Sequence, residues 1–169
     1  MTEPRACILS ISGQQLTPGE KTLFAEVNPW GVILMGRSCG APEQVTALTQ
    51  DIWSVLGREA LIFIDQEGGR VRRLRPPVWP DFPAPGIYGE LYKHNPEAGR
   101  EAAWLHHRLI AAELEPIGIR ADCAPVVLLA AEAVGNGHEV AAGVAAAFGV
   151  GERDRPRFKH EAPQGVLVG

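Results

Sequence analysis

Ala60-Leu-Ile-Phe-Ile-Asp65-Gln-Glu67-Gly-Gly-Arg70-Val-Arg-Arg73-Leu74 is the stretch on which the fold turns. Its first five residues are apolar, branched and aromatic types among them, and predict a buried strand rather than a half-exposed one. The run stops abruptly in two carboxylates, a glycine pair and a cluster of arginines. In α/β proteins ligands are met at the carboxyl ends of parallel strands. A strand ending in Asp-Gln-Glu-Gly-Gly-Arg therefore reads as one wall of an active site.

The segments before it alternate. Residues 6–12 predict a short strand. Thr17-Pro18-Gly19-Glu20 has the form of a capping box, with Thr17 as N-cap, Pro18 at the first helical position and Glu20 at the third. The helix it opens runs to about Val27, where Asn28-Pro29 stops it. Residues 31–36 predict a second buried strand. Pro42 opens another helix, whose apolar face is Val45, Leu48, Ile52 and Val55, with Gly57 just past its end.

Beyond the central strand, residues 76–92 form a long connection rich in Pro, Gly and aromatics, and loops of that length are often functional. Asn95-Pro96-Glu97 opens the longest helix, with Ala102, Leu105, Leu109 and Ala112 as its apolar face. Pro116 and Gly118 end it, and residues 119–126 predict a fourth strand. Strand–helix alternation favours a parallel sheet; pattern alone leaves a barrel and an open doubly wound sheet both possible.

The 169 residues suit one domain with a real core, and 46% hydrophobic content is that of a globular chain. A net charge of −4 argues against general attraction to nucleic acid. Cys7, Cys39 and Cys123 are too far apart for a metal motif and odd in number, so each is expected to be a small buried residue in a reducing compartment. No metal or other cofactor is implied. No apolar run approaches the ~18 residues of a membrane span, and no secretory signal is evident, so a cytoplasmic location is expected.

At the strand end, Asp65 and Glu67 share a side if the extended conformation continues, and ionised carboxylates suit the adjacent hydroxyls of a sugar. Gly68 and Gly69 let the backbone turn sharply and leave room for a ligand. Arg70, Arg72, Arg73 and Arg75 supply forked donors that can hold the carboxylates or reach a substrate. The competing reading is a turn stitched by surface ion pairs. Elsewhere, Gly135-Asn-Gly137-His138 lacks the third glycine of a dinucleotide fingerprint, and His138-Glu139 lacks the second histidine of a zinc-protease helix. His106 and His107 are read as packed or solvated helix residues rather than ligands.

Asp65-Gln-Glu-Gly-Gly-Arg-Val-Arg-Arg73 resembles glycoside hydrolase family 3 in its bacterial β-N-acetylhexosaminidase branch. Ser12-Gly13, Leu16-Thr17-Pro18, Gly31-Val-Ile-Leu with Gly36-Arg37, Pro42-Glu43-Gln44 and Ala124-Pro125-Val126 agree with it, so that the resemblance covers roughly residues 6–126. It implies a (β/α)8 barrel that removes terminal N-acetylglucosamine from glycans or peptidoglycan fragments during cell-wall recycling. By the resemblance Asp65 and Arg73 are substrate contacts, while Glu67, Gly68, Gly69 and Arg70 shape the turn. It also implies a retaining mechanism, with an Asp nucleophile near a late strand and a His-Asp acid/base pair on a mobile loop.

Neither the nucleophile nor that pair is found in this sequence. After Val126 the expected Asp-containing strand end is replaced by Val127-Leu-Leu-Ala-Ala, and residues 127–169 are first rich in Ala, Gly and Val, then charged. Gly151-Glu152-Arg153 and Lys159-His160 echo family segments but stand in the wrong place or context, and are read as coincidences. At roughly 30 residues per βα unit, this length also cannot close eight units. The expected architecture is thus a partial barrel over residues 1–126, about its first four βα units, followed by an irregular tail from a truncation or frameshift. Three functions compete: a catalytically incomplete hexosaminidase, a non-catalytic amino-sugar binder, and a half barrel that self-associates or takes a partner through its open edges.

Overall fold

The computed structural model describes residues 3–124. Four parallel strands, β1 (Arg5–Ser10), β2 (Pro29–Leu34), β3 (Leu61–Ile64) and β4 (Ala121–Asp122), lie side by side in chain order. Between them come α1 (Pro18–Val27), α2 (Pro42–Leu56), and then a pair, α3 (Gly86–His94) and α4 (Pro96–Leu114). A parallel sheet ordered 1-2-3-4 and interleaved with helices is the arrangement of a partial (β/α) barrel.

Local chemistry sets the helix ends. The Thr17 hydroxyl accepts from the Glu20 amide at 3.2 Å while Glu20 accepts from the Thr17 amide at 2.8 Å, so the capping box forms in full. A second Glu20 oxygen takes the Ser12 amide, tying the end of β1's loop to the start of α1. Asn28 leaves α1 in the left-handed region at φ 47°, and Gly57 leaves α2 at φ 64°. Strand β2 begins at Pro29, two residues earlier than the sequence predicts, because the chain leaves that Asn28 turn already extended.

One face of the sheet is sealed. Val32, Leu34, Ile62 and Ile64 pack with Phe24, Val45, Leu48, Ile52, Ile110 and Leu114 in a single core. The opposite face is only partly covered among the described residues: Leu61 and Phe63 are half-buried, and Ile8 is 45% exposed. The expectation that β3 is buried throughout is therefore corrected to an alternating pattern, since no second layer lies over the Leu61 and Phe63 face among those residues. Phe63 instead lies across Gly31 of β2, where an added Cβ would stand 2.6 Å from its ring.

Two further expectations change. The connection at 76–92 is not all loop, because α3 occupies its second half. In α4 the buried residues are Gly99, His106, Ile110 and Leu114, whereas Leu105 and Leu109 of the expected face are each 49% exposed. The helix is turned so that His106, not Leu105, points inward, and the hydrogen bonds of His106 described below account for it. The cysteines are unpaired, but Cys7 and Cys39 are only partly buried and Cys123 is exposed, so they are not the buried trio expected. The boundary at Val126, Lys159, His160 and the rest of 127–169 lie outside the described residues.

Candidate functional site

Strand β3 ends at Ile64, and the next ten residues double back on themselves. The amides of Glu67 and Gly68 both donate to the carbonyl of Val71, at 2.9 and 3.1 Å. The reversal needs Gly68 at φ 94° and Gly69 at φ 58°, a region that side chains disfavour. It also needs their lack of a Cβ: one on Gly69 would stand 2.6 Å from the Ala84 side chain, and one on Gly68 would collide with the Pro83 carbonyl. The glycine pair thus admits neighbouring backbone rather than a ligand.

The fold-back brings Asp65 and Arg73 together in an ion pair, each side chain 25% exposed. Glu67 stays beside them through its backbone, and Arg70 stands exposed at the tip of the turn. Arg72 pairs with Asp81, and Arg75 Nε reaches the Arg72 carbonyl at 3.4 Å. Of the four arginines, one holds the strand-end carboxylate and one holds the following loop.

Gln66 closes the reversal from inside. Only 2% exposed, its Oε1 accepts from the amides of Arg73 and Leu74 at 2.9 and 3.0 Å, and its Nε2 donates to the Leu74 carbonyl at 3.3 Å. One side chain thereby replaces a rung of backbone ladder between the two arms. Its own amide donates to Asp122 Oδ1 on β4, at 2.9 Å.

His106 and Phe82 hold the turn from outside, and Trp79 pins the segment that carries Phe82. His106 Nε2 lies 2.8 Å from the Glu67 carbonyl, which can only accept, so that nitrogen carries the proton. Nδ1 then accepts from the Tyr88 hydroxyl at 2.9 Å. Burial lowers the His106 pKa from its ordinary value and keeps the ring neutral. Phe82 stands edge-on to the same ring and accepts from the Gly69 amide at 2.8 Å through its carbonyl. Trp79, buried in the core, donates from Nε1 to the Gly40 carbonyl at 2.8 Å. Residues 76–85 are therefore a strap pinned at Trp79, Asp81 and Phe82.

Asp122 sits at the carboxyl end of β4, next to the end of β3. Burial raises its pKa to about 6; the Gln66 amide opposes this, while the charges of Asp65 and Glu67 add to it. Burial likewise pushes the Cys39 thiol to about 11, so it is not a poised nucleophile. Among the described residues no cluster of three or more His, Cys, Asp or Glu side chains could hold a metal ion.

The sequence reading identified Asp65, Glu67, Gly68, Gly69, Arg70 and Arg73, and the structure brings all six into one turn. It gave Gln66, Asp122 and Trp79 no role, and it read His106 as a packed or solvated helix residue; His106 is packed, and the reading lacked only its bond to the turn. Asp122 carried a weak signal, being the one acid within the predicted strand of residues 119–126. So did His106, because 99, 106, 110 and 114 recur at helical spacing. Gln66 carried none beyond its place between two acids.

No family model matches the chain. A beta-hexosaminidase of Bordetella avium is 36% identical over 124 residues, which are 73% of this chain and 35% of that relative. The crystal structure of NagZ from Neisseria gonorrhoeae in complex with N-trifluoroacetyl-D-glucosamine is similar at a TM-score of 0.75 and 29% identity, over 89% of this chain and 47% of that one. A glycoside hydrolase family 3 beta-N-acetylglucosaminidase from a Paenibacillus species matches at a TM-score of 0.57 and 28% identity, over 70% and 22%. The chain spans about a third of the curated relative's length and about half of the Neisseria chain's.

Proposed function

This chain carries the N-terminal part of a glycoside hydrolase family 3 domain of the bacterial hexosaminidase kind, and from that premise we propose that it supplies the sugar-holding wall of such an enzyme. The observation that carries this reading is the Asp65–Arg73 pair, half-sheltered at the carboxyl end of β3. An anion and a forked cation side by side offer acceptors and donors to neighbouring hydroxyls of one sugar ring. Asp65 and Arg73 are the substrate contacts; Glu67, Gly68, Gly69 and Arg70 hold the turn. The substrate class is a terminal N-acetylglucosamine on a glycan or muropeptide, in the setting of peptidoglycan recycling in the cytoplasm. No helix among the described residues is long and apolar enough to cross a membrane.

The nucleophile and the acid/base pair that the resemblance implies have no matching motif in this sequence, and binding without cleavage is the outcome this reading expects. Titration with N-acetylglucosamine by calorimetry, run beside hydrolysis of a chromogenic N-acetyl-β-glucosaminide, tests both halves. Saturable binding without turnover is expected. Turnover that Asp65→Ala abolishes would show the chain to be a complete catalyst, and absence of binding would remove the sugar reading altogether. The division at residue 126 belongs to the same proposal. Sequencing across codons 124–130 should reveal a family continuation in another reading frame.

A second reading has its own observation. Ile8 and the half-buried Leu61 and Phe63 leave one sheet face only partly covered among the described residues, and β1 and β4 are the two edges of that sheet. Such edges invite pairing with another strand. Sedimentation showing a monomer at micromolar concentration would argue against association through them.

A further inference from the structure

Asp65 and Arg73 are held at their separation by groups that touch neither of them directly through an ion pair, and the last link in that chain of contacts lies on another strand. We propose that Asp122 is a positioning residue for the sugar-holding pair: it fixes the Gln66 backbone, and through the Gln66 side chain it fixes the arm that carries Arg73. For its sugar arm this inference rests on the function proposed above.

The links are continuous. Asp122 Oδ1 accepts the Gln66 amide at 2.9 Å, immediately after Asp65. The Gln66 carboxamide then takes the amides of Arg73 and Leu74 and returns a bond to the Leu74 carbonyl. The Cys123 amide donates to the Ile64 carbonyl at 2.8 Å, so the ends of β3 and β4 are tied by a backbone bond beside the one Asp122 makes. A carboxylate acceptor is stronger than a carbonyl, which suits a post that anchors a loop outside the ladder.

The surroundings make this carboxylate sensitive to its charge. On the β3 side it faces Asp65 and Glu67; Cys123 follows it in the chain; His107 of α4, Glu115 after that helix and Arg120 just before β4 line the groove it shares with them. Burial, with Asp65 and Glu67, brings its pKa to about 6, so the anchor changes protonation close to neutral pH. A protonated carboxyl accepts more weakly, and the Gln66 amide is the first group to register the change.

The experiment uses the full chain, labelled with nitrogen-15, as wild type, D122N and D122A. Asparagine keeps an acceptor without titrating; alanine removes it. Amide exchange at Gln66 and Leu74 should rise at least ~10-fold in D122A and stay within ~2-fold of wild type in D122N, because the asparagine oxygen can take the same bond. Affinity for N-acetylglucosamine should fall at least ~5-fold in D122A and be restored in D122N. The Gln66 amide signal of the wild type should shift with a midpoint near 6 that D122N abolishes, while the His106 signal still titrates in that variant. Equal exchange and equal affinity in D122A and wild type would overturn the inference. If the wild type binds no sugar, the functional reading fails alone, and the exchange data still decide the role of Asp122. If D122A does not fold, the Gln66 titration decides it: the same curve in wild type and D122N would sink the proposal.

Discussion

The Asp65 carboxylate and the Arg73 guanidinium, eight positions apart in the chain, meet as an ion pair across the two arms of the turn that follows β3. Both remain a quarter exposed, so water weakens their attraction and the pair adds little to folding. Asp65→Ala should lower unfolding free energy by no more than about 1 kcal/mol, yet remove N-acetylglucosamine binding. Urea melts and calorimetry on the same preparation separate the two effects. A large loss of stability would identify the pair as a structural brace.

Gln66 should behave in the opposite way. Replacing it with alanine strands the Arg73 and Leu74 amides, the latter fully buried, with no acceptor. The cost should be about 2–3 kcal/mol, read as a lower urea midpoint at unchanged slope. Gln66→Glu keeps one acceptor oxygen but places a charge in the core, and should also destabilise.

The glycines of the turn admit no side chain. Gly68→Ala and Gly69→Ala each force alanine into the left-handed region and against residues 83 and 84. Each should cost at least about 2 kcal/mol. Gly57→Ala meets no neighbouring atom and should cost less, the backbone strain alone. A ranking with Gly57 the most sensitive would contradict the packing described for the strap.

Two groups near the site give stability opposing pH slopes. Burial holds the folded pKa of His106 below 6.5, so the unfolded chain binds more protons as pH falls through the interval between the two. Its contribution is complete above 6.5 and is lost on acidification. Asp122 runs the other way: its folded pKa is raised from 3.8 to about 6, so its contribution is complete below 3.8 and is lost as pH rises through 6. Urea melts from pH 4.5 to 7.5 should therefore show a steeper rise with pH in D122N than in wild type. His106→Gln should flatten or reverse that slope. Identical profiles in all three would rule out both assignments.

What the sequence made legible follows the range over which each signal acts. Thr17, Glu20, Asn28, Pro42 and Gly57 set helix ends through atoms within a turn of themselves, and the ends fall where those residues place them. The strand end at Asp65 and the six turn residues were visible for the same reason. The inward face of α4 was not, because Leu105 outranks His106 in hydrophobicity, and it takes the Glu67 carbonyl, 39 residues away, and the Tyr88 hydroxyl, 18 away, to make burial of a histidine favourable. α3 escaped notice because Gly86, Gly89 and the prolines before it read as loop, and its support comes from packing on α4.

The strap of residues 76–85 carries a consequence for protein engineering. Asp-Gln-Glu-Gly-Gly-Arg is not a portable cassette. Its shape depends on Gly40 taking the Trp79 indole, on the Phe82 carbonyl, on His106 and on Asp122, which come from four separate parts of the chain. Grafted onto the end of a strand in another scaffold, the same residues would lose the partners that bring Asp65 and Arg73 face to face. A designer who wants this pair must transplant the strap and the neighbouring strand with it.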